Sequence, residues 1–238
     1  MSFPDAVTID FQSEYDGAWQ SLPEAVYKAI AKEDVDVIVK FGMSLLRLNE
    51  EKSIPPILSY HHGDPSKYRG RPAGFYEILN REKKIGVIVQ ALSNTLDAGT
   101  IYAFAESKAV NFSYKKTAIN FYSISIPLLN KAIINLSTRS PINRSVGGTN
   151  YKLPSNAKVL DFFYSLVTNA SIKLVYGLFF EKKWKVATGK NNLDLTQDQT
   201  LSSFELNQVP IKTEYNFYAD PFFSEDGEKI RLEALDRK

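Results

Sequence analysis

Apolar residues recur along this chain with periods that change every ten to thirty residues, and each change marks an element. Leu22, Ala25, Val26, Ala29 and Ile30 follow Ser21 and Glu24, which stand at capping-box spacing, and predict a helix over 21–30. In VDVIVKF (35–41), Val35, Val37, Val39 and Phe41 alternate with Asp36 and Lys40, which favours a strand. A helix through Leu45, Leu46 and Leu48 competes with it. Pro55-Pro56 and the Gly/Pro cluster from Gly63 to Gly74 break regular structure and mark a long loop.

Ile85, Ile88, Val89, Leu92 and Leu96 are spaced for a helix that Gly99 ends, and residues 100–110 predict another. YSISI (122–126) alternates like a strand. After Pro127, the spacing of Leu129, Ala132, Ile133 and Leu136 is again helical. A second loop runs over 140–155 around Gly147-Gly148, and AKVLDFFYSLVT predicts a helix. IKLVYGLFF and WKVAT suggest strands joined near Glu181-Lys182-Lys183, and the last segment a hairpin turning at Asp226-Gly227. The pattern is α+β, with a helix-rich middle and a strand-rich C-terminal third. It fits one domain over 1–238 or two lobes meeting near 97–100, with 1–16 and 224–238 as possible arms.

Composition narrows the class. At 238 residues and 44% hydrophobic content the chain can bury a core, and with no cysteine it has neither disulfides nor thiolate chemistry. The first residues carry acids before any apolar run, unlike a signal peptide. The apolar region 157–180 is interrupted by Lys158, Asp161, Asn169 and Lys173, which argues against a stable membrane span. A soluble, cytoplasmic protein is the expectation.

Charge changes the picture most. The net charge of +2 hides ten acids against five bases in residues 1–52, and the same ratio in 194–238. Residues 67–160 hold fourteen bases and four acids (Glu77, Glu82, Asp97, Glu106), and no acid occurs from Ser107 through Leu160. Like charge so concentrated usually answers to an anionic partner, although the bases could also scatter over several faces and pair with the acidic ends.

The stretch HHGDPSKYRGRPAGFYEILNREKK (61–84) holds both histidines of the chain. Neighbours on an extended segment point to opposite sides, so His61-His62 make a poor chelate, and the HxH and HExxH spacings are absent. No metal, cofactor or catalytic residue is assigned. Phosphate-loop, nucleophile-elbow and dinucleotide motifs are also missing, and Gly147-Gly148 beside Arg144 reads best as a plain turn.

Basic and aromatic residues interleave instead: Lys67, Tyr68, Arg69, Arg71, Tyr76, Arg81, Lys83 and Lys84, then Lys115 and Lys116, then Arg139, Arg144 and Lys152. Guanidiniums that grip phosphate, beside rings that stack on bases, suit single-stranded nucleic acid. The reading is a non-enzymatic, sequence-independent nucleoprotein that favours RNA and self-assembles as a homo-oligomer. Two alternatives stand beside it: a nuclease or transferase whose site the sequence conceals, and an effector acting at anionic membranes.

Overall fold

The computed structural model describes residues 8–42, 44–180, 184–189 and 206–236. By its contacts the chain divides into two compact units, Met1–Ile172 and Lys173–Lys238. In order, the first unit carries β1 (Glu14–Asp16), β2 (Trp19–Ser21), α1 (Glu24–Ile30), β3 (Ile38–Lys40), β4 (Leu45–Arg47) and β5 (Ile57–His61). Then come β6 (Tyr68–Gly70), α2 (Phe75–Leu79), β7 (Lys84–Ala91), β8 (Thr100–Lys108), α3 (Tyr114–Ser137) and β9 (Thr149–Tyr151). Helix α4 (Asn156–Phe179) crosses the division. The second unit holds β10 (Ala187–Thr188), β11 (Asn207–Gln208), β12 (Tyr215–Phe223) and β13 (Ile230–Asp236). The architecture is α+β.

The centre is a four-stranded sheet in the order β3-β5-β7-β8, antiparallel except where β3 runs parallel to β5. One face of it is apolar: Leu58, Ile85, Val87 and Val89 pack with Phe121, Leu128 and Ala132 of α3, all nearly sealed from solvent. Alternation along a strand then sends Ser59, His61, Ile88 and Gln90 to the opposite face, where Ser59 pairs with Gln90 and His61 with Ile88. That second face carries the polar residues discussed below.

Residues 84–91 form a strand and not the helix their spacing predicts. Both faces of β7 are covered, so its apolar run shows no clean alternation, and a run of that kind resembles a buried helix. The β-branched residues Ile85, Val87, Ile88 and Val89 fit the pleated surface better than a helix. Residues 100–108, also predicted helical, pair with β7 along their whole length. The reverse error falls on YSISI, which lies inside α3 with Pro127 accommodated in the helix. IKLVYGLFF continues α4 where a strand is predicted. Helix α1, strand β3 and the C-terminal hairpin, with Gly227 at φ +72°, agree with the expectation.

Residues 1–7 and the predicted junction at 181–183 lie outside the described residues. The tail from Ser224 turns back so that β13 pairs with β12. Despite its charges, α4 is long and apolar enough, by length and composition, to cross a membrane. Its Phe162 is nevertheless buried, stacked on Phe75 of α2 at 4.4 Å.

Candidate active site

The two histidines sit on opposite faces of the sheet. His62 lies on the α3 side, where Nε2 meets the Ser125 hydroxyl at 3.0 Å and the ring packs against Tyr60, Phe121 and Tyr122. Burial, with a smaller contribution from His61, pushes its pKa down to about 4, so it is neutral at physiological pH. Its surroundings are those of a packing residue.

His61, at the end of β5, is buried on the other face. Its Nδ1 lies 3.4 Å from Asp97 Oδ1 and its Nε2 3.0 Å from the carbonyl of Tyr68. Both ring nitrogens therefore face acceptors, and the ring donates through one of them when neutral and through both when protonated. Asp97 is fixed in turn: its Oδ2 accepts from the Gly70 N–H at 2.8 Å, and its backbone holds φ +49°, a left-handed conformation that few non-glycine residues adopt. The turn carrying Asp97 is tied down where Gly99 N–H donates to the buried Gln90 Oε1 at 3.0 Å.

Both anchoring glycines are required by close approach. A Cβ on Gly99 would stand 1.9 Å from the Ala91 carbonyl, and one on Gly70, at φ +86°, would stand 2.0 Å from that of Tyr151.

Lys40 completes the cluster from β3, paired in register with Ser59. Burial lowers its pKa and the attraction of Asp97 opposes that shift, so the ammonium belongs to the electrostatics of the dyad. Beside His61 lies a small cavity of about 10 Å³, enough for roughly one water, with Gly70, Tyr76, Glu77 and Tyr151 among its walls. A carboxylate oriented by a histidine and a backbone N–H, near a cation, can move a proton at a reacting atom. Among the described residues no group of three or more His, Cys, Asp or Glu is placed to hold a metal ion.

The basic and aromatic residues singled out by sequence are spent differently. Tyr68 and Tyr76 are buried and stack on Tyr151 at 5.4 and 4.1 Å, and the Tyr76 hydroxyl donates to the carbonyl of Lys152. Arg69 Nε donates to the Gly148 carbonyl at 2.8 Å, and Arg144 forks onto Asp64 while lying over the Phe104 ring. Burial would raise the Asp64 pKa, but hydrogen bonds from Arg144 and Ser66 more than reverse it, so the carboxylate stays charged.

Lys67 faces Glu82 at 3.6 Å and Lys84 faces Glu106 at 2.6 Å. Lys67, Tyr68, Arg81, Lys83 and Lys84 do line one cleft, but Asp64, Glu77, Glu82 and Glu106 line it too. Arg71 and Arg139 are exposed, Arg139 just past the end of α3, and Lys115 and Lys116 stand exposed at its start. Arg69, Arg71, Tyr76, Lys115, Lys116, Arg139, Arg144 and Lys152 do not line that cleft.

No family model and no curated protein matches the chain. Among solved structures it is similar to an N-formyltransferase from Helicobacter canadensis in complex with folinic acid and dTDP-3-aminofucose. That match is 13% identical with a TM-score of 0.46, over 89% of this chain and 74% of the other. HypX from Aquifex aeolicus matches at 19% identity and TM-score 0.45 over 60% of this chain, which spans only 28% of HypX. Phosphoribosylglycinamide formyltransferase from Campylobacter jejuni matches at 21% and 0.38, over 48% of this chain and 60% of that one. Likeness at this level assigns no activity.

The expectation of a non-enzymatic RNA-binding nucleoprotein, with single-stranded RNA and its own copies as partners, is corrected by these findings. Of the similar structures, the Helicobacter canadensis protein and WlaRD are named as N-formyltransferases and are solved with folate compounds and with dTDP-3-aminofucose or dTDP, and one HypX structure is solved with tetrahydrofolic acid. The physical reason lies in the fold: the aromatics meant to stack on bases stack on one another, and Arg144, Lys67 and Lys84 are held by internal carboxylates.

Nothing in the sequence assigns His61 a catalytic role or pairs it with Asp97, 36 positions away. The available signal was an acid in an otherwise basic stretch, followed by Ala98-Gly99 in a turn.

Proposed function

We propose that this chain is an enzyme of the transferase class in which His61 and Asp97 form the acid–base pair. The buried contact between His61 Nδ1 and Asp97 Oδ1 at 3.4 Å, with Asp97 locked by the Gly70 N–H, carries this reading. The chain has no cysteine, and the Ser59 hydroxyl meets the Tyr60 carbonyl at 3.5 Å, so neither a thiol nor Ser59 is set against His61 as a nucleophile. The arrangement suits direct transfer between two bound substrates. Asp97, positioned by His61 and the Gly70 N–H, accepts the proton that an attacking amine or hydroxyl must lose, His61 keeps the carboxylate oriented through its Nδ1, and Lys40 offsets negative charge developing on the transferred group.

Formyl transfer from a folate donor to an amine is a member of this class with a direct absorbance readout. Turnover by the full chain is expected to fall about 100-fold or more in His61→Ala and in Asp97→Asn, with unchanged melting curves. Turnover untouched by both substitutions, or no transfer by the wild-type chain to a panel of amine and hydroxyl acceptors, refutes the reading.

A further inference from the structure

The dyad makes no use of the charges in the cleft beside α2. This cleft measures about 420 Å³, within the range of small-molecule sites. Its acids can be accounted for one by one. Asp64 is held by Arg144, Glu106 by Lys84, and Glu82 by Lys67 and the Tyr68 hydroxyl at 3.2 Å. The fourth, Glu77, is buried, and burial pushes its pKa up to about 7, so it carries only about half of a negative charge at neutral pH.

Two cations remain. Arg81 and Lys83 are exposed on the cleft wall, and neither has a carboxylate partner among the described residues. They stand two positions apart in the turn from α2 to β7, where Arg81 holds φ +57°, a backbone conformation that costs free energy for a residue of this kind. The cleft also shares Tyr68 and Glu77 with the cavity at His61, so it adjoins the dyad.

From this arrangement the geometry points to a binding site for the anionic end of a small molecule, a phosphate or pyrophosphate ester, with Arg81 and Lys83 as its ligands. A guanidinium fork and an ammonium together match the several oxygens of a phosphate, each contact being a charge-assisted hydrogen bond. That this molecule is a substrate rests on the transferase reading; that the cleft binds the anion does not.

The test is calorimetric titration of pyrophosphate into the full chain. Wild-type protein is expected to bind it saturably, and Arg81→Asn with Lys83→Gln to weaken binding at least 10-fold, asparagine being chosen because it tolerates the left-handed backbone. His61→Ala is expected to bind like wild type even where it abolishes turnover, as is Lys115→Gln, which alters an exposed cation outside the cleft. Should the double variant fail to fold, Lys83→Glu alone decides, through reversal of one charge. No saturable binding, equal binding in the Arg81 and Lys83 variants, or the same loss in His61→Ala overturns the assignment.

Discussion

Glu77 and His62 are two interior titratable groups whose effects on stability oppose each other. Burial raises the Glu77 pKa from 4.5 to about 7, so the folded protein holds a proton that the unfolded chain has lost. Its contribution makes stability fall as pH rises from 4.5 to 7, by up to about 3 kcal/mol. His62, lowered from 6.5 to about 4, does the reverse: the unfolded chain takes up the proton first, and stability falls as pH drops from 6.5 to 4. The two slopes offset each other across most of this window. Urea melts between pH 4.5 and 6.5 should therefore show stability rising with pH in Glu77→Gln and falling with pH in His62→Gln. Parallel slopes in the two variants would show that these side chains do not titrate as their surroundings require.

At the scale of elements, the site depends on the short parallel pair β6 and β9, because Gly70 donates the N–H that holds Asp97. Gly70→Ala would drive a methyl group into the Tyr151 carbonyl at 2.0 Å and force β6 off β9. Turnover should fall at least 10-fold in this variant while the main sheet survives, seen as native-like amide-exchange protection in β5 and β7. Helix α3 tests the opposite face. Phe121 is fully buried against the sheet, and Phe121→Ala should cost roughly 3–5 kcal/mol in a denaturant melt. Loss below about 1 kcal/mol would mean that α3 does not seal the sheet as described.

For the molecule as a whole, part of the segregated charge is paired locally. The bases Lys67, Lys84 and Arg144 meet carboxylates at 82, 106 and 64, while residues 67–160 keep fourteen bases against four acids. All residues of the dyad, the anion cleft and the α3-packed core belong to the unit Met1–Ile172. A fragment ending at Ile172 should accordingly keep pyrophosphate binding within about threefold of the full chain and melt cooperatively. A fragment that is unfolded by circular dichroism would show that residues 173–238 are needed to complete the fold.

By itself the sequence determined the α+β class, helix α1 with its apolar spacing, strand β3, and the hairpin around Gly227, because each is set by local period or by a backbone conformation that one residue type favours. Periodicity failed where both faces of an element are covered, as in β7, and where a proline is absorbed into a long helix, as in α3. The tertiary structure alone decided which charges are free. Sequence shows that Arg81, Lys83, Arg144 and Lys84 are basic, but only the packing of β7, β8 and the loops around Asp64 gives the last two carboxylate partners and, among the described residues, leaves the first two without them. It also decided the dyad: strand alternation puts His61 and His62 on opposite faces, but the approach of Asp97 to His61 depends on the turn held by Gly99 and on the N–H of Gly70. Contacts across 36 and 27 positions leave no periodic trace in the chain, because they arise only when separate strands and turns converge.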